Sequence, residues 1–338
     1  MGSMLLEVRN LTTVFQTEGG EFAAVDDVSF SVASGEVLGI VGESGSGKSV
    51  CALSIMGLLP EPAGRVKSGS IRFEGRELIG MPARERRALR GSAIGMVFQE
   101  PMTSLNPVFT IGDQITETIR AHQKLGKAAA RRRAAEMLER VGIPSPQRRL
   151  DDYPHQLSGG MRQRVMIAMA LACSPRLLLA DEPTTALDVT VQAQLLDLLR
   201  DLQRETGMAV AIITHNMGVI AEFADRVMVM YAGRVAEEGP VEAIFDAPRH
   251  PYTLGLIAST PTLAQDAPSL RTIPGQLPRP GSYPPGCLFE PRCARRAEAC
   301  RLRQPPQAAA GAKHSVACLL WDQPVASEKY PELAGTHP

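Results

Sequence analysis

The chain has 338 residues, enough for one large domain and a smaller appendage. Hydrophobic residues make up 44% and charged residues 21%, the balance of a globular protein with a sizeable core. Lys and Arg number 36, as do Asp and Glu, so bulk charge does not equip the surface for nucleic acid, and no such partner is expected. No apolar run approaches the roughly 18 residues that cross a bilayer, and Met1 to Glu21 lacks the apolar stretch of a signal peptide. Met1-Gly2-Ser3 before Met4 reads as a cloning scar and is set aside. The expectation is a cytosolic location, where the six cysteines serve as thiols or metal ligands rather than disulfides.

Short apolar runs alternate with helical patterns over about the first 250 residues, which predicts an α/β fold. Val37 to Val41 reads as a buried strand, and the apolar stretch from Lys48 through Leu59 as the helix after it. Ile94 to Phe98 reads as a strand ending at Gln99. From about Gly112 to Gly142 the pattern is helical, the mark of a helical subdomain inserted at about 105–172. Met161 to Cys173 is an apolar helix opened by Ser158, Gly159 and Gly160. Leu177 to Ala180 is an apolar run that delivers Asp181 and Glu182 at its end. Val191, Leu195, Leu198, Leu199 and Leu202 repeat at helical spacing and predict an amphipathic helix over Val189 to Thr206. Ala209 to Thr214 is a strand ending at His215, and Arg226 to Tyr231, Gly233 and Arg234 to Ala236 read as strand, turn and strand. Beyond about Pro261 prolines crowd the sequence and four cysteines follow, in a loop-rich stretch poor in apolar residues. The chain therefore divides into residues 4–260 and an appendage, 261–338, whose tail from about Ser327 reads as disordered.

Gly42-Glu43-Ser44-Gly45-Ser46-Gly47-Lys48-Ser49 matches the phosphate-loop pattern, and it lies between a strand and a helix as that pattern requires. Backbone N–H groups of such a loop wrap phosphates, and the following helix adds the positive end of its dipole. Lys48 is expected on the β- and γ-phosphates of ATP, and the Ser49 hydroxyl on Mg²⁺. Asp181 at a strand end suits the same metal, and Glu182 is placed to act as general base on the attacking water.

A phosphate loop, then Leu157-Ser158-Gly159-Gly160-Met161, then Asp181-Glu182, in this order, resembles the ABC family of ATPases. The resemblance implies that Gln99 senses Mg²⁺ and a membrane partner, and that His215 contacts the γ-phosphate. It implies that Phe15 stacks on adenine and that Ala186-Leu187-Asp188 forms a loop crossing a dimer interface. It also implies that Ser158, Gly159 and Gly160 close over the γ-phosphate held by a second subunit. Asn216 stands where many members have Asp after the switch histidine.

Three further stretches narrow the resemblance to the ATPases of dipeptide and oligopeptide permeases: Gln99 to Pro107, Tyr153 to Met161, and Arg249-His250-Pro251-Tyr252-Thr253. It extends from Leu5 to about Leu320 and is specific to the peptide/nickel importer group, with the D-type subunit the better match. What it implies is an F-type second ATPase, two integral membrane permease subunits lodged against Glu100 to Pro107, and an extracytoplasmic peptide-binding protein. The complex would place this chain on the cytoplasmic face of the bacterial inner membrane. Glutathione, haem and metal chelates stand as alternative cargoes, and a non-transport ABC ATPase as the alternative class.

Cys287, Cys293, Cys300 and Cys318 follow the spacing C-x₅-C-x₆-C-x₁₇-C, without the tight knuckles usual in structural zinc sites. Such spacing suits the perimeter of a [4Fe–4S] cluster better than Zn²⁺, and the D-type resemblance also implies a cluster. Free thiols are the plain alternative. His314 reads as a surface residue, and Arg292, Arg295, Arg296, Arg301 and Arg303 as counter-charges to a cluster or as a solvated face. Cys51 and Cys173 read as inert core thiols.

Overall fold

The computed structural model describes residues 4–100, 104–185, 187–260, 272–279 and 282–323. The boundary at residue 261, the tail from Ser327, Ala186 of the dimer-interface loop and residues 101–103 of the Gln99 loop lie outside them.

Strands β1 (Met4–Thr17), β2 (Gly20–Ala33), β3 (Val37–Val41), β4 (Gly64–Phe73), β5 (Arg76–Glu77), β6 (Ile94–Val97), β7 (Leu177–Asp181), β8 (Ala209–Thr214), β9 (Arg226–Tyr231), β10 (Arg234–Pro240), β11 (Ala308–Gly311) and β12 (His314–Val316) form two sheets. One is antiparallel, in the order β2-β1-β4-β5. The other runs β11-β12-β10-β9-β3-β8-β7-β6. Its centre, from β9 to β6, is parallel, and β10, β12 and β11 extend it antiparallel.

The parallel strands are apolar without interruption because both faces are covered. Leu38, Ile40, Leu179 and Ile213 face one core, shared with the antiparallel sheet and helix α1 (Lys48–Met56). Val37, Val41, Leu178 and Ile212 face the other, beneath the helices that follow. Helix α2 (Ala83–Leu89) sets its Leu89 against the first core, and the helices over the second are α3 (Ile111–His122), α4 (Lys127–Arg140), α5 (Pro146–Arg149) and α6 (Gly159–Leu171). After them come α7 (Val189–Thr206), α8 (Met217–Phe223), α9 (Val241–Asp246), α10 (Pro251–Ala258) and α11 (Glu298–Leu302). Helix α1 stops at Met56 rather than Leu59, because Gly57 turns left-handed at φ 60° and its N–H caps Leu53 and Ser54. Strand β6 stops at Val97, leaving Phe98 39% exposed rather than in the sheet.

Two devices join the cysteine-bearing segment to the sheet. Strand β12 pairs with β10 through Val316 opposite Glu237. Glu237 is fully buried; its carboxylate accepts from the backbone N–H groups of Arg249 (2.6 Å) and His250 (2.9 Å) and bonds His314 Nε2 at 2.7 Å. His314 is thus a buried partner rather than the surface residue expected, since a buried carboxylate must be satisfied from every side.

Candidate functional site: a nucleotide-binding face

The strands β3, β8, β7 and β6 are neighbours in the sheet, and the predicted groups leave it at their carboxyl ends. The phosphate loop follows β3, Gln99 follows β6, Asp181 and Glu182 close β7, and His215 follows β8. Open α/β sheets bind ligands at that edge because loops there converge while the sheet holds their roots.

The loop from Gly42 to Gly47 has a shape only glycine permits at two points. Gly42 (φ 152°) leaves a Cβ no room, 2.2 Å from the Met230 carbonyl, and Gly47 (φ 99°) would place one 2.5 Å from the Ala24 carbonyl. Lys48 is buried and donates from Nζ to the carbonyls of Gly42 (2.7 Å) and Glu43 (2.9 Å), which folds the loop around its ammonium. Burial pushes the Lys48 pKa down, against the pull of Glu182, Asp181 and Glu43. Ser46 Oγ is buried without a hydrogen-bond partner in the protein, a polar atom left over within the loop. A concave loop with these properties matches a polyphosphate in charge and in donors.

Ser49 Oγ donates to Asp181 Oδ1 at 3.0 Å. Desolvation raises the Asp181 pKa, and the Glu182 charge adds to it. Two hard oxygen donors side by side, one an under-compensated carboxylate, suit Mg²⁺. Glu182 adopts a left-handed backbone at φ 47° and its N–H donates to the Ile213 carbonyl (2.8 Å). That turn sends its carboxylate to the same side as Asp181, against the alternation of a strand. It accepts from Gln99 Nε2 (3.0 Å) and Thr185 Oγ1 (2.8 Å) and bonds His215 Nδ1 (3.1 Å). Burial works to raise the Glu182 pKa, but the Thr185 and His215 bonds outweigh it and hold the carboxyl below its ordinary value. Gln99, Glu182 and His215, up to 116 residues apart in sequence, therefore form one hydrogen-bonded set.

A cavity of about 530 Å³ lies over this set, lined by Phe15, Phe22, Ser44, Gly45, Lys48 and Ser49 among others. Phe15 stacks on Phe22 (centroids 5.9 Å, planes at 23°), an apolar platform beside the loop. A second cavity of about 490 Å³ continues past Gly42, Glu43, Gln99, Glu182 and His215. Ser158, Gly159 and Gly160 line neither cavity. Ser158 instead caps α6, its Oγ accepting from Met161 N at 3.3 Å, and a side chain at Gly159 would meet nothing within 4 Å. Asp188 caps α7 in the same way, through Val191 N at 2.9 Å, and is exposed. Helix starts with open small residues are places where an anion from outside can dock.

Sequence reasoning missed Arg292, which it assigned to a cluster or to solvent. Its guanidinium is 5% exposed and holds Glu43 of the phosphate loop with two bonds, 2.6 and 2.8 Å. It lies over the rings of Tyr231 (5.8 Å) and Phe289 (6.0 Å), and Glu43 raises its already high pKa further. Cys287, Cys293, Cys300 and Cys318 line one small cavity of about 20 Å³ with His250 and Arg295. Burial raises the Cys287 thiol to about 11, and the neighbouring cysteines add to it; burial also raises Cys293 and Cys318. The described residues contain no group of three or more His, Cys, Asp or Glu side chains placed to hold a metal ion, so the metal expected here has no preformed single-ion site. Cys51 is buried and its thiol lies far above neutrality, at about 12, as an inert core cysteine requires.

Comparison with known proteins now defines the class. Residues 25–185 match the family described as ABC transporter, and residues 236–300 match that described as oligopeptide/dipeptide transporter, C-terminal region. A Brucella melitensis protein named as a peptide import ATP-binding protein is 52% identical over 330 residues, 94% of this chain and 98% of its own. The dipeptide transport ATP-binding protein DppD of Escherichia coli is 54% identical over 301 residues, 89% of this chain and 92% of its own. Among solved structures, the ATP-binding cassette MJ0796 in a dimeric post-hydrolysis state with ADP and Pi is 29% identical, with a TM-score of 0.64, covering 70% of this chain and 98% of that one. CbiO1 from Clostridium perfringens, part of an ABC transporter complex, gives 30% and 0.62 over 72% of this chain and 91% of that one. The chain belongs to the ABC transporter family as one of its ATPases. No helix among the described residues is long and apolar enough to cross a membrane.

Proposed function

We propose that this chain is the ATP-hydrolysing subunit of an ABC importer that takes up dipeptides and oligopeptides. The observation that carries the ATPase half is the bonding of Gln99, Thr185 and His215 onto Glu182, next to the Ser49–Asp181 pair. Lys48 and the loop amides bind the phosphates of ATP. Ser49 and Asp181, with Gln99 nearby, would hold Mg²⁺, which supplies charge neutralisation on the phosphate oxygens. Glu182 accepts a proton from the attacking water; His215 orients that carboxylate and faces the γ-phosphate. Phe15 stacks on adenine.

The peptide half rests on the named relatives and on the match of residues 236–300. Residues 4–260 form the cassette, with a helical subdomain at about 105–172, and residues 261–338 the appendage. Ser158, Gly159, Gly160 and Asp188 face a second ATPase subunit of F-type; ATP binding closes the pair, and hydrolysis, which removes the γ-phosphate contact, releases it. Two integral permease subunits dock at the groove of about 280 Å³ lined by Leu58, Arg90, Met96, Phe98, Ser104 and Met166. Its apolar rim includes Phe98, 39% exposed, and Leu58, 36% exposed, which water alone would not favour. An extracytoplasmic peptide-binding protein delivers cargo to the permeases, and this chain sits peripherally on the cytoplasmic face of the inner membrane. The decisive experiment co-expresses the four membrane-side subunits in vesicles and measures uptake of labelled dipeptide in the presence of the binding protein. Uptake that needs ATP on this chain's side and stops with Glu182→Gln supports the assignment; ATP hydrolysis that never moves peptide overturns the peptide half.

The four appendage cysteines are proposed to hold a [4Fe–4S] cluster. The support is their common cavity and their spacing, together with the burial that raises the Cys287, Cys293 and Cys318 thiols and that a cationic cluster core would offset. Protein purified without oxygen should carry iron and acid-labile sulfide, both lost with Cys293→Ser. Zinc without iron would turn the assignment to the other metal.

A further inference from the structure

The nucleotide cavity has a wall that belongs to neither the phosphate loop nor the strands. Leu277, Pro278, Arg279 and Tyr283, all from the C-terminal segment, line it together with Phe15 and Lys48. Leu277 reaches over the loop itself: a side chain built on Gly45 would lie 3.6 Å from Leu277 Cδ2.

One residue holds this stretch in place. Arg292 donates from Nε to the Pro274 carbonyl (2.9 Å) and from Nη2 to the Ile273 carbonyl (3.3 Å), while its two terminal nitrogens grip Glu43. Ile273 is seated against α10, where Gly255 makes room; a Cβ there would lie 2.8 Å from Ile273 Cγ1. A planar guanidinium with donors in a fixed fork can serve a carboxylate and two carbonyls at once, which an ammonium cannot. The same fork thus spans the phosphate loop and the stretch that covers it.

We propose that residues 272–279 are a second wall of the nucleotide site, in which Leu277 and Pro278 cover the base and ribose opposite Phe15, and that Arg292 is the positioning residue that latches this wall to Glu43. The inference rests on assigning nucleotide to the Gly42–Ser49 loop. The chemistry favours base and ribose over phosphate. Leu277 and Pro278 are apolar and half-buried, and a base or ribose offers them a face, whereas phosphates are already met by loop amides and Lys48.

The test compares two ligands on the full-length protein by calorimetry: MgATP, and tripolyphosphate, which has the phosphates but no base or ribose. Leu277→Ala and Pro278→Gly, both uncharged changes at half-buried positions, should weaken MgATP roughly 3- to 10-fold and leave tripolyphosphate unchanged, the loss expected for uncovering one apolar contact. Arg292→Lys keeps the charge but not the fork and should weaken MgATP in the same direction. Lys48→Ala is the control for the loop and should weaken both ligands. Unchanged MgATP binding in the two wall variants overturns the proposal, as does an equal loss for both ligands, which would mean that the segment acts only on the loop. Unchanged MgATP binding in Arg292→Lys removes the latch. If Lys48→Ala alters neither ligand, the loop assignment fails first, and the wall with it.

Discussion

The phosphate loop and the cysteine-bearing segment are both irregular backbone, yet opposite means hold them. The loop is contiguous: eight residues, Gly42 to Ser49, are shaped by left-handed glycines and by an internal lysine that binds carbonyls five and six residues away. The described part of the C-terminal segment has little regular structure beyond the short α11 and the β11–β12 hairpin, and it is fixed by partners far along the chain. Arg292 reaches Glu43 across 249 residues, and His314 reaches Glu237 across 77. A local device should fail in chemistry without loss of fold, and a long-range device should fail in stability.

The largest effect expected is chemical. Glu182→Gln keeps the side-chain volume and a hydrogen-bonding oxygen but removes the carboxylate proposed as general base, so turnover should fall roughly 10²- to 10⁴-fold. MgATP affinity and the thermal midpoint should stay near those of the parent. A parental rate, read by phosphate release in the assembled complex, would remove Glu182 from the chemistry. The counterpart in the other region is Glu237→Ala. It strands the Arg249 and His250 N–H groups and His314 in a buried site, at a cost of about 2–4 kcal/mol. Chemical denaturation should show that loss, and protease should cut first between residues 272 and 323. A variant as stable as the parent would mean that strand pairing alone docks the segment.

The smallest effect calibrates both. Glu77, in the antiparallel sheet, belongs to neither region. Burial works to raise its pKa, but bonds from the Ser70 hydroxyl and the N–H groups of Ile71 and Ile79 outweigh it, and its pKa lies below the ordinary value. A carboxyl depressed in the folded state binds protons more readily once unfolded, so its contribution is present above the unfolded pKa. That contribution disappears as pH falls through the folded pKa. Stability measured from pH 6 downward should therefore decline less steeply in Glu77→Gln than in the parent. Identical slopes would mean that this carboxyl contributes nothing to the acid limb.

Much of the nucleotide face was legible in the sequence. The strands Val37–Val41, Ala209–Thr214 and Arg226–Tyr231 and the helix Val189–Thr206 lie where the apolar runs and the helical spacing place them. Buried parallel strands need uninterrupted apolar residues, and a phosphate loop needs its glycines and lysine at set intervals, so both leave a local trace. The antiparallel sheet left a weaker one. Strand β1 changes register between Val8 and Leu11 and again before Thr13 and Val14, and each irregularity breaks the alternation by which a strand is recognised.

By itself, then, the sequence determined the α/β class, the order of the ATPase motifs and the family, since these reside in neighbouring residues. Only the tertiary structure decided that His314 is buried on Glu237 and that Gln99 and His215 converge on one carboxylate. It alone showed that Arg292 belongs to the phosphate loop rather than to the cysteines beside it. The physical reason is that an ion pair depends on the packed distance between two side chains. Chain separation carries no information about that distance until the sheet has brought β3, β10 and the C-terminal segment together.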